Sequence, residues 1–272
     1  MNKIAIGGTE PVQSASPRAA QAVYLRDLLR ELVGRDMKLR YKRSVLGIVW
    51  SLLNPLAQFS VLYFVFHVLL PLNIPHYASF LFTGMLTWNW FQSSLLFATG
   101  AIVENRELVK RPGFPAAILP TVTVTSHLVH FLLAIPILLL CVVLDVGRPT
   151  PAIAALPLVI AIQFTLILGL AYVVAALYVT FRDTQYLLGV LLQLLFFLTP
   201  VFYDLATVPE RYRGLLTLNP MVHLIEAYRA ILIHGTWPDR GALMILIGGT
   251  GLLLAAGYLI FERASSRFVE EL

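Results

Sequence analysis

The sequence predicts an all-α polytopic membrane protein with six transmembrane helices, an amino-terminal amphipathic interfacial helix and a re-entrant helical segment between spans 5 and 6. Three observations predict it. Hydrophobic residues make up 58% of the 272 positions and charged ones 13%, against about 25% in soluble domains, so lipid is the solvent. Five stretches contain no Asp, Glu, Lys or Arg: 44–103, 112–144, 149–181, 184–203 and 241–261. The first, as one helix, would reach about 90 Å, three bilayer cores deep, so it must be a hairpin. Its break is PLNIPHYA, where Pro71 and Pro75 interrupt the helix and Asn73 and His76 supply polarity.

In chain order, residues 1–21 read as a disordered lead, polar and without the apolar core of a signal peptide. Residues 22–43 form an amphipathic helix too charged to span. Leu25, Leu28, Leu29, Leu32 and Val33 share one face, while Arg26, Asp27, Arg30, Glu31 and Arg35 share the other. Such a helix suits the cytoplasmic headgroups or a soluble partner. Residues 44–272 make the six-helix domain, with spans at about 45–70, 78–102, 117–143, 153–179, 186–203 and 241–261. Between spans 5 and 6, Asn219 and Pro220 open a helix whose apolar residues Met221, Leu224, Ile225, Tyr228, Ile231 and Leu232 recur with helical spacing. It ends at Gly235, too short to cross and return, and Glu226 and Arg229 can neutralise each other three residues apart.

Basic residues resist translocation and collect in cytoplasmic loops. With the amino terminus inside, cytoplasmic segments hold fifteen Lys and Arg and external ones five, which places both termini in the cytoplasm. The net charge of +5 is therefore topological and implies no nucleic-acid partner.

Several chemistries are excluded by what is missing. There is no GxxxxGK[ST] phosphate loop, so this chain does not hydrolyse ATP. Acidic residues are scattered singly and no HExxH occurs, which leaves no catalytic set and no metal site. His127 and His130 share a face of span 3 without a carboxylate or Cys nearby and suit interhelical hydrogen bonding. A lone Cys141 permits no disulfide within one chain. The spans carry no ionisable group for ion coupling, so driving energy must arrive from outside, at the cytoplasmic faces. The best such face is ENRELVKRPGFP, residues 104–115. There a short helix, Glu104 to Arg111, presents charges and exposes Leu108 and Val109 before Pro112 and Gly113 stop it.

These residues carry a resemblance. RDMKLRYKRSVLGIVWSLLNPL (35–56), ENRELVKRPGFP, FFLTPVFY (196–203), LNPMVHLIEAYR (218–229) and the tail FVEEL resemble, in order and spacing from about residue 22 to 272, the permease subunit of ATP-binding-cassette polysaccharide exporters. Those permeases serve O-antigen, capsule and teichoic-acid export. The resemblance implies a bacterial inner-membrane homodimer bound to two separate nucleotide-binding ATPase subunits, which would hold the ATP and Mg, with the pore at the dimer axis and lipid-linked glycan as substrate. By the same resemblance Glu104, Arg106, Glu107, Leu108, Lys110 and Arg111 belong to the coupling helix, and the segment 205–235, with Asn219, Pro220, Glu226 and Arg229, to the external gate.

A glycan shows C–H faces to which uncharged aromatic rings bind without regard to hydroxyl sequence. Candidates for that path are Phe59, Tyr63 and Phe66, aligned on one face of span 1, and Phe196, Phe197 and Tyr203, grouped with Phe202 near the end of span 5. Trp88, Trp90 and Phe91 of span 2 are a weaker set, since aromatics also fill helix interfaces. Arg40, Lys42 and Arg43 precede span 1 and could guide a lipid pyrophosphate into a lateral opening, as well as anchoring the span. Two other readings stay open at this stage. One is a drug or small-lipid exporter of the same build; the other is a membrane enzyme on lipid carriers, which would need convergent acids or histidines at one membrane face.

Overall fold

The computed structural model describes residues 17–41, 49–148 and 150–272, and every regular element among them is helical. Helix α1 (Pro17–Tyr41) takes in the end of the lead and packs on α5 (Ile118–Asp145). Leu32 is buried there and Leu28, Leu29 and Val33 pack beside it, whereas Leu25 is exposed with Val23 and Tyr24. Most of the predicted apolar stripe is thus satisfied by the chain's own bundle.

Helix α2 (Val49–Tyr63) loosens into a wide π-helical turn, Phe64–Leu69, before the proline-bounded break. There the chain reverses through Asn73 and His76, both left-handed at φ 54° and 53°. Helix α3 (Tyr77–Glu104) starts on a cap borrowed from another helix. The Ser79 N–H donates to Asp145 Oδ2 at 3.0 Å and His76 Nδ1 donates to the Asp145 carbonyl at 2.9 Å. A carboxylate ending α5 therefore satisfies one of the orphan donors that begin α3.

Helix α3 is the hub, with twenty of its 28 residues buried, including Ser79, Thr83, Thr87, Ser94 and Thr99. Its polar side chains turn toward protein rather than lipid, as hydrogen-bonding residues in membrane helices do. A single turn, α4 (Arg106–Val109), follows it and leads to α5. A 3₁₀ turn, Pro151–Ala155, leads into α6 (Leu156–Thr180), which packs on α3 and most extensively on α10 (Arg240–Ser265). That last crossing is made close by glycine. A Cβ on Gly257 would strike the Gly169 carbonyl, and one on Gly169 would sit 2.9 Å from the Leu254 backbone.

Among the described residues three segments are long and apolar enough to cross a bilayer: Ile118–Asp145, Pro151–Thr180 and Arg240–Ser265. Helix α7 (Thr184–Leu198) is shorter than the expected fifth span, about 22 Å by its fifteen residues, because the chain leaves the helix at Thr199 and Pro200. The remaining helices are α8 (Glu210–Leu216), α9 (Pro220–Leu232) and α11 (Phe268–Glu271). The tail is docked: Phe268 is buried 5.3 Å from Phe261, and Thr180 Oγ1 donates to Glu271 Oε2 at 2.8 Å.

Candidate functional site

The aromatic candidates of α2 and its π turn and those of α7 and the turn after it, 130 or more residues apart in sequence, form a seam of two ring clusters, joined where the Tyr77 hydroxyl donates to the Phe202 carbonyl at 3.0 Å. Phe59 lies 5.6 Å from Tyr63 and 5.2 Å from Phe82 of α3, and Tyr63 continues to Tyr77 at 6.1 Å. Phe66 stacks on Phe202 at 5.0 Å with the planes 17° apart. Phe202 in turn meets Phe196 at 5.9 Å and Tyr203 at 5.2 Å, and Phe197 closes on Phe196 at 5.4 Å. The joint is thus Phe202, which the sequence grouped with its neighbours but did not single out. Phe197 is 57% exposed, on the same uncovered side of α7 as Tyr186, Leu187, Val190 and Leu194.

The Trp set of α3 does different work. Trp88 is 1% exposed and Trp90 3%, the latter stacked on Phe131 at 4.7 Å. Both are core residues, Trp90 in the α3–α5 packing, and only Trp88 borders the seam, 5.9 Å from Phe196.

Beneath the seam, α9 is pinned into the bundle. Asn219 caps it by accepting from Met221 N–H at 3.0 Å, and Pro220 fills the first helical position, where an N–H has no intrahelical partner. The Asn219 amide also donates to Thr199 Oγ1 at 2.8 Å, tying the start of α9 to the end of α7. Tyr228 donates to Gln163 Oε1 at 2.9 Å, and Gln163 Nε2 donates to the Thr87 carbonyl at 2.9 Å, so α9, α6 and α3 share one buried chain of hydrogen bonds.

Arg229 is fully buried. Its guanidinium lies 3.3 Å from the Phe80 ring centroid, donates to Glu226 Oε1 at 3.0 Å and to the Val201 carbonyl at 2.8 Å, and fits because position 84 of α3 is glycine. Sequence spacing found the pair with Glu226. The larger role, clamping α9 to α3 and to the turn that carries Phe202, is tertiary.

At the opposite end, the expected coupling segment is only the single turn α4, set off from α3 at Asn105 and stopped by Pro112 and Gly113, the glycine at φ 77°. Glu104, Arg106, Glu107, Lys110 and Arg111 are exposed and Leu108 is half-buried. The expectation that Val109 faces a partner is corrected: it is 7% exposed and belongs to the core, because one turn of helix lying on a bundle must turn one apolar residue inward. Arg35 of α1 donates to Asn105 Oδ1 at 3.0 Å, so the amphipathic helix and this elbow are joined. Of the proposed pyrophosphate guides, Lys42, Arg43 and the side chain of Arg40 lie outside the described residues.

Among the described residues no three His, Cys, Asp or Glu side chains gather as a metal site. His127 Nδ1 faces the Thr123 carbonyl at 2.9 Å, and since a carbonyl only accepts, that nitrogen carries the proton.

The family described as ABC-2 type transporter matches residues 27–233, from α1 through α9 and so across the seam, the elbow and the Arg229 clamp. The chain belongs to the ABC-2 type transporter membrane family. Among curated proteins, this ABC-2 transporter is 41% identical over 249 residues to the O-antigen export system permease protein RfbA of Myxococcus xanthus, covering 91% of this chain and 96% of that one. It is 32% identical over 250 residues to the protein of the same name from Klebsiella pneumoniae, covering 91% and 95%. It is also 26% identical over 233 residues to the polysialic acid transport protein KpsM of Escherichia coli, covering 84% and 90%. As a family member the chain is a membrane-embedded permease subunit.

Proposed function

We propose that this chain is the channel-forming subunit of an ATP-driven exporter that moves lipid-linked, O-antigen-like polysaccharide from the cytoplasmic to the external side of the bacterial inner membrane. The observation that carries the reading is the uncharged aromatic seam, Phe59, Tyr63, Phe66, Phe202, Phe196 and Phe197, on helices whose outer faces are uncovered in the single chain. The names of the relatives support the substrate class.

In this reading the chain spans the membrane six times, α2, α3, α5, α6, α7 and α10 supplying the spans, with both termini in the cytoplasm. Two copies meet so that their seams face a common passage. Sugar rings slide along aromatic faces that offer dispersion and C–H contact, and the lack of charge there gives no residue for a hydroxyl-rich polymer to be trapped on. ATP and Mg belong to two partner ATPase subunits. Their motion is received by the exposed charges of α4 and passed to α3 through Asn105 and to α1 through Arg35. Pushing on the α3 end that Asn105 terminates moves a helix whose other end holds Phe80 and Gly84 against Arg229, so the clamp on α9 is placed to act as the external gate.

The test is deletion of the gene with complementation. Loss of the chain is expected to leave polyprenyl-linked glycan accumulating inside the cell and to strip glycan from the surface, both restored by the intact chain. Surface glycan unchanged, with none accumulating inside, would refute the proposal. Drug sensitivity altered instead would favour a drug exporter of the same build.

A further inference from the structure

A cavity of about 380 Å³ opens among α2, α3 and α5, away from the aromatic seam. Its volume falls within the range of small-molecule sites, about 300–1,000 Å³. Its wall is unusual for a bundle in lipid: Asn54 and Gln58 of α2, Asn89, Gln92 and Ser93 of α3, and His127 and His130 of α5 all border it. The site lies deep. His127 is nine residues from the start of α5, about 14 Å, and Asn89 is twelve from the start of α3, about 18 Å. Hydrogen-bonding side chains at that depth are costly unless they meet partners or line a path.

Part of the set is satisfied locally. Trp88 Nε1 donates to Gln92 Oε1 at 3.0 Å, and Ser93 Oγ donates to the Asn89 carbonyl at 2.5 Å. The amides of Asn54, Gln58 and Asn89 make no such bond among the described residues, and neither does the buried indole N–H of Trp90, which also borders the cavity. Among the described residues no Asp, Glu, Lys or Arg lines it. Neutral amides that both donate and accept, with flanking rings, match the alternating donors and acceptors of vicinal hydroxyls, and offer no fixed cation to hold a phosphate.

The geometry points to this cavity as a binding site for a neutral, hydroxyl-rich sugar headgroup carried on a lipid, held at mid-membrane depth beside α2 before it reaches the seam. The inference rests on the proposed function for its substrate class, but the site is separate from the aromatic path. The test uses the permease with its ATPase partner in lipid nanodiscs and a photoreactive alkyl glucoside, with an alkyl phosphate of the same chain length as the second arm. Label is expected on peptides of α2, α3 and α5, competed by unlabelled alkyl glucoside and not by the alkyl phosphate. Gln58→Leu, at an exposed position, and Asn89→Leu should each reduce it about fivefold, the scale of one lost hydrogen bond. In cells, Gln58→Leu should lower surface glycan with the assembled complex unchanged in amount. Label that spreads over α10 equally in wild type and variants would overturn the site, as would stronger labelling by the phosphate probe. Either result would leave the deletion test of the exporter itself untouched, so the two failures are distinguishable.

Discussion

Replacing Gly84 by alanine inserts one methyl group where the Arg229 clamp needs empty space. A Cβ there would lie 2.6 Å from the Val201 carbonyl oxygen and 3.0 Å from Arg229 Nη2, both held by the same 2.8 Å hydrogen bond. The carbonyl is backbone, so the turn that carries it must shift away from α3, and the guanidinium loses its hold on that carbonyl. Overpacking of this kind costs about 1–3 kcal/mol, and a weakened hydrogen bond to a charged group about 1.5–3 kcal/mol. Against that stands a helix-propensity gain of about 1 kcal/mol for Gly→Ala. The net expectation is a loss of about 1.5–5 kcal/mol. At about 2–4 °C per kcal/mol for a chain of this size, that is a fall of roughly 3–20 °C in apparent melting temperature. Gly100, in the same helix, is the internal control, because its added methyl would meet only the flexible carboxylate end of Glu104 at 2.7 Å. Gly100→Ala should be neutral or stabilising by up to about 1 kcal/mol. Purified permease heated in detergent, with the surviving folded fraction read by size-exclusion chromatography, compares the two. Equal stability of Gly84→Ala and wild type would refute the clamp.

Further expectations follow from the same packing. Gly257→Leu should prevent α6 and α10 from closing and send the chain to degradation, read as loss of folded protein in membranes, whereas Gly248→Leu, with open space around its Cβ position, should not. Asn219→Ala removes both the cap of α9 and its bond to Thr199, costing about 1–2 kcal/mol, while Asn219→Asp keeps the cap and should recover most of it in the same melting assay. Val109→Asp should destabilise the chain by burying a charge, while Glu107→Ala, at an exposed site on the same turn, should leave stability unchanged and lower the coupling of ATP hydrolysis in the assembled complex to export.

The parts of this architecture that were legible in the sequence are those where lipid imposes a rule on each residue separately. Charge-free runs had to be apolar helices, three of which are long enough to cross a bilayer among the described residues, and Pro71 to Pro75 had to break one of them. The cap at Asn219 with Pro220 was visible because capping is local. Other features were not local. A run free of charge extends to Tyr203, but the helix within it stops at Leu198, since absence of charge does not register Pro200. Val109 looked exposed because four residues show no helical period from which to choose a buried face. Phe202 emerged as the joint of the seam only when Phe66, 136 positions earlier, was placed on it. Gln163 was a signal that could have been used. An amide in an otherwise apolar span needs partners, and here they are Thr87 and Tyr228.

If sugar passes along aromatic faces, Phe197 is the ring to change, because it is exposed and its replacement leaves the core alone. Phe197→Leu keeps the apolar volume and removes the ring face; Phe197→Trp keeps the face. Surface glycan, measured at equal amounts of assembled complex, should fall several-fold in Phe197→Leu, with lipid-linked glycan accumulating inside, and stay near wild type in Phe197→Trp. Full export by Phe197→Leu would contradict the account.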